Sequence, residues 1–223
     1  MELSALLNIC PGVTAIIGGG GKTTLLRTLG EELATNASVL LCTTTKIFPF
    51  SDVPLAETLA ELELLQASHR LLSAGKLLPE LGKVAVPDIP MAELAERFDY
   101  VLVEADGSAH CPMKAHQSHE PVIPVEANQT ICVVGASGFG RPISEVAHRS
   151  QLYAQLAGVS ETDIATPETE AAVLNAEQLH QRVYINQVET ETDHLHAARL
   201  ASLLDCPVVG GSLHRREYVV CSL

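Results

Sequence analysis

The sequence IIGGGGKTT, at residues 16–24, decides the fold class of this chain. It follows an apolar run at residues 13–17 and leads into residues 23 to about 36, where leucines recur at helical spacing. Glycines let a backbone take positive φ and approach a ligand closely, and a helix N-terminus offers unpaired N–H groups with a partial positive charge. The stretch therefore predicts a strand, an anion-binding loop and a helix.

The end of this stretch resembles a P-loop, the phosphate-binding loop of nucleoside triphosphatases. In that motif the lysine reaches the outer phosphates and the following hydroxyl coordinates Mg²⁺. The loop departs from the pattern G-x-x-x-x-G-K-[ST], because Ile16 stands where the first glycine is expected. Counted from the first glycine present, it is two residues shorter than the standard loop. The alternative is a glycine-rich turn without a ligand. The predicted nucleotide-binding residues are Gly18, Gly19, Gly20, Gly21, Lys22, Thr23 and Thr24.

The composition argues against several classes of partner. The chain has 14 Lys and Arg against 27 Asp and Glu, a net charge of −13, which disfavours nucleic acid and anionic membrane surfaces. It begins without a basic segment and has no apolar run of about eighteen residues, so we expect a cytoplasmic protein without a membrane span. The six cysteines include no CxxC pair and are expected to be reduced thiols.

Apolar strand-like runs alternate with helical patterns along the whole chain. This alternation predicts an α/β fold, a mostly parallel sheet flanked by helices in a P-loop NTPase-like three-layer sandwich. We expect one domain over residues 1–223, with a small insertion around 68–90 and a functional loop at 107–128. Helices are predicted near 55–67, 91–98, 142–157, 168–181 and 192–204, and strands near 38–43, 71–72, 84–86, 100–103, 130–134, 183–185 and 207–209.

Two carboxylates follow the predicted strand at residues 100–103. Parallel sheets bind ligands at the carboxyl ends of their strands, so Glu104 and Asp106 are expected to face the glycine loop. An acid at this position in P-loop enzymes holds Mg²⁺ or its water, and a nearby glycine amide, here that of Gly107, meets the γ-phosphate. We therefore predict that Thr23, Glu104 and Asp106 hold a metal. The predicted catalytic residues are Lys22, Glu104, Asp106 and Lys114.

Two further segments are candidates at the same edge. The predicted strand at 38–43 is followed by Thr44, Thr45 and Lys46, whose hydroxyls and ammonium are suited to a triphosphate, although threonine is also common in strands. Within the loop at 107–128, His116 and His119 have the spacing of a metal pair but lack a third ligand, so surface histidines are the favoured interpretation.

A base-recognition element is predicted late in the chain. Asn186, Gln187 and Glu189 form an Asn-Gln-x-Glu sequence after a predicted strand. It resembles the Asn-Lys-x-Asp element with which GTPases bind guanine, although two of its residues differ. An ordinary strand-to-helix cap is the alternative, so GTP and ATP both remain candidates.

Taken together, these motifs resemble the YqeC family. The resemblance includes the glycine loop, Thr45-Lys46, residues 103–108 with Lys114, and residues 119–124, and it extends to His148-Arg149 and Asn186-Gln187. The family name implies an accessory role in the maturation of selenium-dependent molybdenum hydroxylases, or in selenium cofactor biosynthesis. A molybdenum hydroxylase or a cofactor-assembly protein is then an expected partner.

Three functions fit the sequence. The first is a maturation factor that binds and hydrolyses a nucleoside triphosphate with Mg²⁺. The second is a small-molecule kinase or nucleotidyl transferase in cofactor assembly, with the loop at 107–128 as the acceptor site. The third is a nucleotide-binding or cofactor-delivery module without enzymatic activity.

Overall fold

The chain folds around a nine-stranded sheet in the computed structural model, which describes residues 1–222. In chain order the strands are β1 Gly12–Gly18, β2 Val39–Thr43, β3 Lys46–Ile47, β4 Leu55–Ala56, β5 Leu71–Ala74, β6 Lys76–Leu78, β7 Lys83–Ala85, β8 Tyr100–Glu104, β9 Met113–Lys114, β10 Ala127–Gly135, β11 Ala147–His148, β12 Arg182–Asn186, β13 Val208–Ser212 and β14 Glu217–Ser222. The helices are α1 Leu3–Leu6, α2 Lys22–Leu33, α3 Leu59–Gln66, α4 Met91–Arg97, α5 Ile143–Val146, α6 Ser150–Ala157, α7 Pro167–Glu177 and α8 Glu191–Ala201.

The main sheet has the order β14-β13-β12-β10-β1-β8-β2-β5-β4. All neighbouring strands are parallel except β13 and β14. The strand before the glycine loop, β1, lies at the centre between β10 and β8, and Ile16 is in register with Glu104. Thr43 at the end of β2 is in register with the same glutamate. The ends of three adjacent strands therefore meet beside the start of α2.

Helices cover both faces of the sheet. Successive residues of a strand point to opposite faces, and in the central strands both sets of residues are apolar, so both faces need a covering layer. On one face, Leu25, Leu26 and Leu29 of α2 are fully buried against Ile16 and Leu102 of the strands. On the other face, side chains of α3 to α8 pack on two further clusters of buried residues. The predicted α/β three-layer architecture with a mostly parallel sheet is confirmed.

Several element predictions need correction. Residues 142–157, predicted as one helix, form α5, the two-residue strand β11 and then α6. The break lies at Arg149, which has φ of 64°, and His148 pairs with Lys114 in a small parallel sheet of β11 with β9. The predicted helix at 55–67 begins only at Leu59, since the side chain of Thr58 caps it. The first two residues of that prediction, Leu55–Ala56, form strand β4 instead. The strands β3, β4, β6, β9, β11 and β14 and the short helix α1 were not predicted.

Residues 68–90, predicted to form an insertion, divide between two sheets. Strand β5 pairs with β2 in the main sheet, whereas β6 and β7 join β3 in a separate three-stranded antiparallel sheet. In the part of the chain that the structure describes, no helix is long and apolar enough to cross a membrane.

Helix α7 carries a buried acid into the apolar core. Glu170 is 1% exposed, and its Oε2 accepts a hydrogen bond of 2.7 Å from the hydroxyl of Tyr153 on α6. Burial disfavours the charged carboxylate and raises the pKa of Glu170 to about 7. Near neutral pH this glutamate is therefore close to half protonated.

The first prediction concerns the pH dependence of stability. The pKa of Glu170 lies above its ordinary value of 4.5, so the folded state binds the proton more tightly than the unfolded state. Its contribution to stability is complete below about pH 4.5 and is lost as the pH rises through about 7. The free energy of unfolding of the native protein, relative to Glu170→Gln, should fall by about 3 kcal/mol between pH 4 and pH 8. Urea denaturation of both proteins at these pH values measures the difference, and parallel pH profiles would contradict the assignment.

Candidate functional site

The glycine loop joins β1 to α2 and packs closely on its surroundings. Gly18, Gly20 and Gly21 have positive φ values of 95°, 68° and 119°. A Cβ on Gly18 would lie 2.4 Å from the carbonyl oxygen of Val133, and one on Gly20 would lie 2.5 Å from the amide nitrogen of Gly135. Larger residues are therefore excluded both by backbone conformation and by the close approach of β10.

Three amides of the loop already have acceptors within the protein. The N–H of Gly18 donates to Asp106 Oδ2 at 3.0 Å, that of Gly19 to the carbonyl of Val133 at 2.8 Å, and that of Gly20 to the carbonyl of Cys111 at 3.1 Å. The first helical hydrogen bond of α2 runs from Leu25 N–H to Gly21 O. The N–H groups at the start of α2, residues 22–24, precede that bond, and they are the amides suited to a bound anion.

Lys22 is the first residue of α2 and is only 3% exposed. Its Nζ donates a 2.6 Å hydrogen bond to the carbonyl oxygen of Gly18. The same nitrogen lies 3.1 Å from Asp106 Oδ1 and 3.9 Å from Glu104 Oε1. The lysine is thus folded back over the loop and is held beside both predicted acids.

Asp106 is shared by several basic groups in the protein interior. Its Oδ2 lies 3.2 Å from Lys114 Nζ and 2.7 Å from His116 Nε2, in addition to its contacts with the loop and with Lys22. Burial acts to raise its pKa, but the hydrogen bond from His116 and the charges of Lys22 and Lys114 outweigh that effect and hold the pKa at about 2. Asp106 is therefore ionised at all physiological pH values.

The contacts of Asp106 continue away from the loop. Lys114 Nζ also donates to Glu120 Oε2 at 2.8 Å, and Glu120 is paired with Arg149 on its other oxygen. His116 Nδ1 lies 2.7 Å from Glu177 Oε2 at the end of α7. Burial acts to lower the pKa of His116, but its bonds to the two carboxylates raise the pKa above its ordinary value. We call Asp106, Lys22, Lys114, His116, Glu120, Arg149 and Glu177 the buried charge network.

Two predictions change because of this network. His116 is buried and bonded to two carboxylates rather than lying on the surface, whereas His119 is exposed. The two do not form a metal pair: residues 1–222 contain no group of three or more His, Cys, Asp or Glu arranged to hold a metal ion. The loop at 107–128 is not wholly irregular, because it contains β9 and the first residues of β10.

Thr23 and Glu104 form the part of the site that is suited to Mg²⁺. The hydroxyl of Thr23 donates to Glu104 Oε2 at 2.7 Å, and both residues line the cavity at the start of α2. Burial raises the pKa of Glu104, partly offset by Lys22. A hydroxyl and a carboxylate are oxygen ligands of the kind that Mg²⁺ prefers, so these residues fit the predicted metal. Asp106, the third predicted ligand, lies behind them and does not line the cavity.

The cavity at the start of α2 has a volume of about 520 Å³. Residues 20–24 form one side of it, and residues 107–110 with Pro112 form another. Three of the five lysines in this acidic chain line it: Lys22, Lys46 and Lys83. Among the lining residues, Glu104 carries the single carboxylate. The cavity is therefore locally cationic in a protein whose net charge is −13.

The predicted residues after β2 have separate environments. Lys46 lines the cavity. The Thr44 hydroxyl donates to the carbonyl of Val122 at 2.8 Å, and the Thr45 hydroxyl lies 3.1 Å from that of Thr43. Neither Thr44 nor Thr45 lines the cavity, so among these three residues the lysine alone is placed to meet a ligand.

The predicted base-recognition residues are held mainly by the protein. Asn186 and Gln187 line the cavity, but Asn186 Nδ2 donates to Gly20 O at 2.7 Å, and Gln187 Oε1 accepts from Ser137 at 2.6 Å. Glu189 lies outside the cavity lining. It accepts a 2.7 Å bond from the Ser212 hydroxyl and pairs with Arg215 at 3.2 Å. The Asn186 side chain therefore braces the glycine loop.

Other residues of the site were not predicted. Glu177 is 61 positions from the histidine that it binds, and no local motif marks it. Phe48 and Lys83 line the cavity because β3 pairs with β7 in the small sheet. Phe48 stands two residues after Lys46, so extending the predicted segment 44–46 by two residues would have included it. Lys83 has no such signal, since the antiparallel pairing is a tertiary contact.

The second prediction concerns Asp106. Asp106→Asn removes a buried negative charge that Lys22 and Lys114 share, and it leaves both ammonium groups without their common partner. Loss of one member of a buried ion pair costs about 3–5 kcal/mol, so the free energy of unfolding should fall by that amount in urea denaturation at pH 7. The matched control is Asp88→Asn, since Asp88 is exposed and pairs only with exposed Lys76. Its effect should stay within about 0.5 kcal/mol, and an equally small effect of Asp106→Asn would contradict the role given to the network.

Comparisons with known proteins cover the segment that carries this site. The profile of the family described as YqeC protein matches residues 14–151, more than half of the chain. The protein of Escherichia coli (strain K12) named "Uncharacterized protein YqeC" is 35% identical over an alignment of 162 residues, and the alignment covers 67% of this chain. The aligned region spans 62% of the length of that relative. The profile match includes the glycine loop, Glu104, Asp106 and the buried charge network as far as Arg149. On this evidence the chain belongs to the YqeC family.

Proposed function

We propose that this chain binds a nucleoside triphosphate with Mg²⁺ at the start of α2 and hydrolyses it. The observation that supports the proposal is the charge of the cavity. The chain has five lysines and a net charge of −13, and three of these lysines line one cavity beside a helix N-terminus. A polyphosphate is the type of ligand that satisfies both the cations and the amides at the start of α2.

The residues at the start of α2 would each act on the phosphates. Lys22 now donates to Gly18 O, and an oxygen of the outer phosphate would replace that carbonyl as acceptor. Thr23 and Glu104, already hydrogen-bonded to each other, would hold Mg²⁺. When bound, the metal neutralises charge on the β- and γ-phosphate oxygens. Asp106 keeps Lys22 in place from behind and remains a positioning residue.

The biological role that we propose follows from the family resemblance. It is an accessory function in the maturation of selenium-dependent molybdenum hydroxylases, with a molybdenum hydroxylase or a cofactor-assembly protein as partner. The curated relative is named as uncharacterized, so its name supports the family assignment alone. The nucleotide site and the accessory role are therefore tested separately.

A binding module without hydrolysis is the second candidate. Three loop amides are hydrogen-bonded within the protein, so fewer amides are left for phosphates than in a standard P-loop. With fewer donors on the transferring phosphate, the site would stabilise less of the charge that develops during hydrolysis. Nucleotide binding without turnover would favour this candidate, and turnover that requires a small-molecule acceptor would favour a kinase or transferase.

The third prediction tests binding. Lys22→Ala removes the ammonium at the start of α2 and should weaken the affinity for ATP and GTP at least tenfold in isothermal titration calorimetry. Lys76→Ala is the matched control, because Lys76 is exposed, pairs with Asp88 and does not line the cavity. Thermal melts should establish that both variants are folded. Unchanged nucleotide affinity in a folded Lys22→Ala protein would refute the proposal.

The fourth prediction tests hydrolysis. Glu104→Gln keeps an acceptor for the Thr23 hydroxyl but removes the charge at the metal position. We expect nucleotide affinity within about threefold of the native value and phosphate release reduced at least tenfold, the usual scale for an electrostatic group acting in the transition state. The control is Glu145→Gln, which alters an exposed glutamate paired with Arg141. A Glu104→Gln protein with the native hydrolysis rate would exclude Glu104 from the reaction.

A further inference from the structure

Phe48 is the exposed aromatic side chain of this protein. The chain has four Phe, four Tyr and no Trp. Phe48 is 55% exposed, and the other seven of these rings are buried or half-buried. Its ring does not lie on an arbitrary part of the surface, because Phe48 lines the same cavity as the start of α2. An exposed ring beside a cationic cavity has a flat apolar face available to a ligand.

The position of this ring is set by the small antiparallel sheet. Lys46 is in register with Ala85, and Ile47 with Val84. Ile47 and Val84 are both buried, with 6% and 4% exposure, so they anchor the sheet beneath the cavity wall. Phe48 follows Ile47 directly and is therefore held at the end of an anchored strand.

One lysine lies beside the ring, and a second, Lys46, lines the same cavity. Lys83 Nζ is 5.2 Å from the centroid of the Phe48 ring, a cation–π distance. Across residues 1–222, neither Lys46 nor Lys83 has a carboxylate oxygen within 4.0 Å. In an acidic protein, two lysines without acidic partners that line one cavity with an exposed aromatic ring indicate a ligand that has both a flat ring and negative charge.

The polar residues Asn186, Gln187 and Glu189, predicted to recognise the base, are less available to it than the Phe48 ring. Gln187 is bonded to Ser137, and Glu189 to Ser212 and Arg215. Asn186 uses both ends of its amide, donating to Gly20 O and accepting from the N–H of Leu213. Reading a base by hydrogen bonds there would require these contacts to break, whereas stacking on Phe48 requires no existing hydrogen bond to break.

We infer that Phe48 binds the base of the nucleotide by stacking, with Lys46 and Lys83 beside it and the phosphates at the start of α2. The inference deepens the proposed function and rests on it. Stacking uses the π-face that every base has and is tolerant of base identity. The site therefore accepts nucleoside triphosphates with little dependence on the base, and ATP and GTP bind at similar affinity.

The fifth prediction uses three probes, ATP, GTP and inorganic tripolyphosphate, with calorimetry in Mg²⁺ on the full chain. Phe48→Ala should weaken ATP and GTP to a similar extent, by roughly 5- to 150-fold, the scale of one base–aromatic stack. Tripolyphosphate has no ring, so its affinity should stay within about twofold. Phe48→Tyr should retain the affinity for both nucleotides. Leu64→Ala, which shortens a 75% exposed side chain on α3, should change none of the three.

Several results would overturn the inference. Native ATP and GTP affinity in Phe48→Ala would remove the ring from the site, and equal weakening of tripolyphosphate would show that the substitution acts on the phosphate end instead. Selective loss of GTP binding in Glu189→Ala would assign base recognition to the segment 186–189 instead. If the native protein binds tripolyphosphate as tightly as it binds ATP and GTP, the base adds no affinity. The stacking inference then fails, and the phosphate site stands. If it binds none of the three probes, the proposed function itself fails.

Discussion

The ionised carboxylate of Asp106 is the constraint on which the site depends. A charge in the protein interior must be compensated by nearby partners, and this one contacts Lys22 at 3.1 Å, Lys114 at 3.2 Å and His116 at 2.7 Å. The amide of Gly18 donates to the same carboxylate. One side chain thereby connects the glycine loop, the end of β8 and the segment around β9, which are distant in sequence.

The order of the strands explains why these groups meet. Because β1 and β8 are adjacent and parallel, the loop after β1 and the two acids at the carboxyl end of β8 lie at the same edge of the sheet. Glu104 and Asp106 are two residues apart and have different environments. Glu104 lines the cavity with Thr23, whereas Asp106 lies in the buried charge network behind Lys22. The first is suited to contact a ligand, and the second to position the lysine that does so.

The cavity combines two recognition chemistries in an acidic protein. At the start of α2, backbone amides and Lys22 are suited to phosphate. Beyond Lys46, the small antiparallel sheet adds Phe48 and Lys83, which are suited to a ring. If the proposed function holds, a site with these two ends would discriminate by charge and by shape more than by hydrogen bonds to a base.

The α/β class, the glycine loop between β1 and α2, and the two acids at the carboxyl end of β8 could be predicted from the sequence, because these features follow from apolar periodicity and from residues close together along the chain. Residue identity also singled out Lys22, Thr23, Glu104 and Asp106. Four features could not be predicted in this way: Asp106 is buried behind Lys22, His116 binds Glu177 on α7, Glu189 pairs with Arg215, and Lys83 lies over the Phe48 ring. Each of these facts depends on which distant segments pack together. Local patterns hold no information on such contacts, since burial and ion pairing are set by the whole fold.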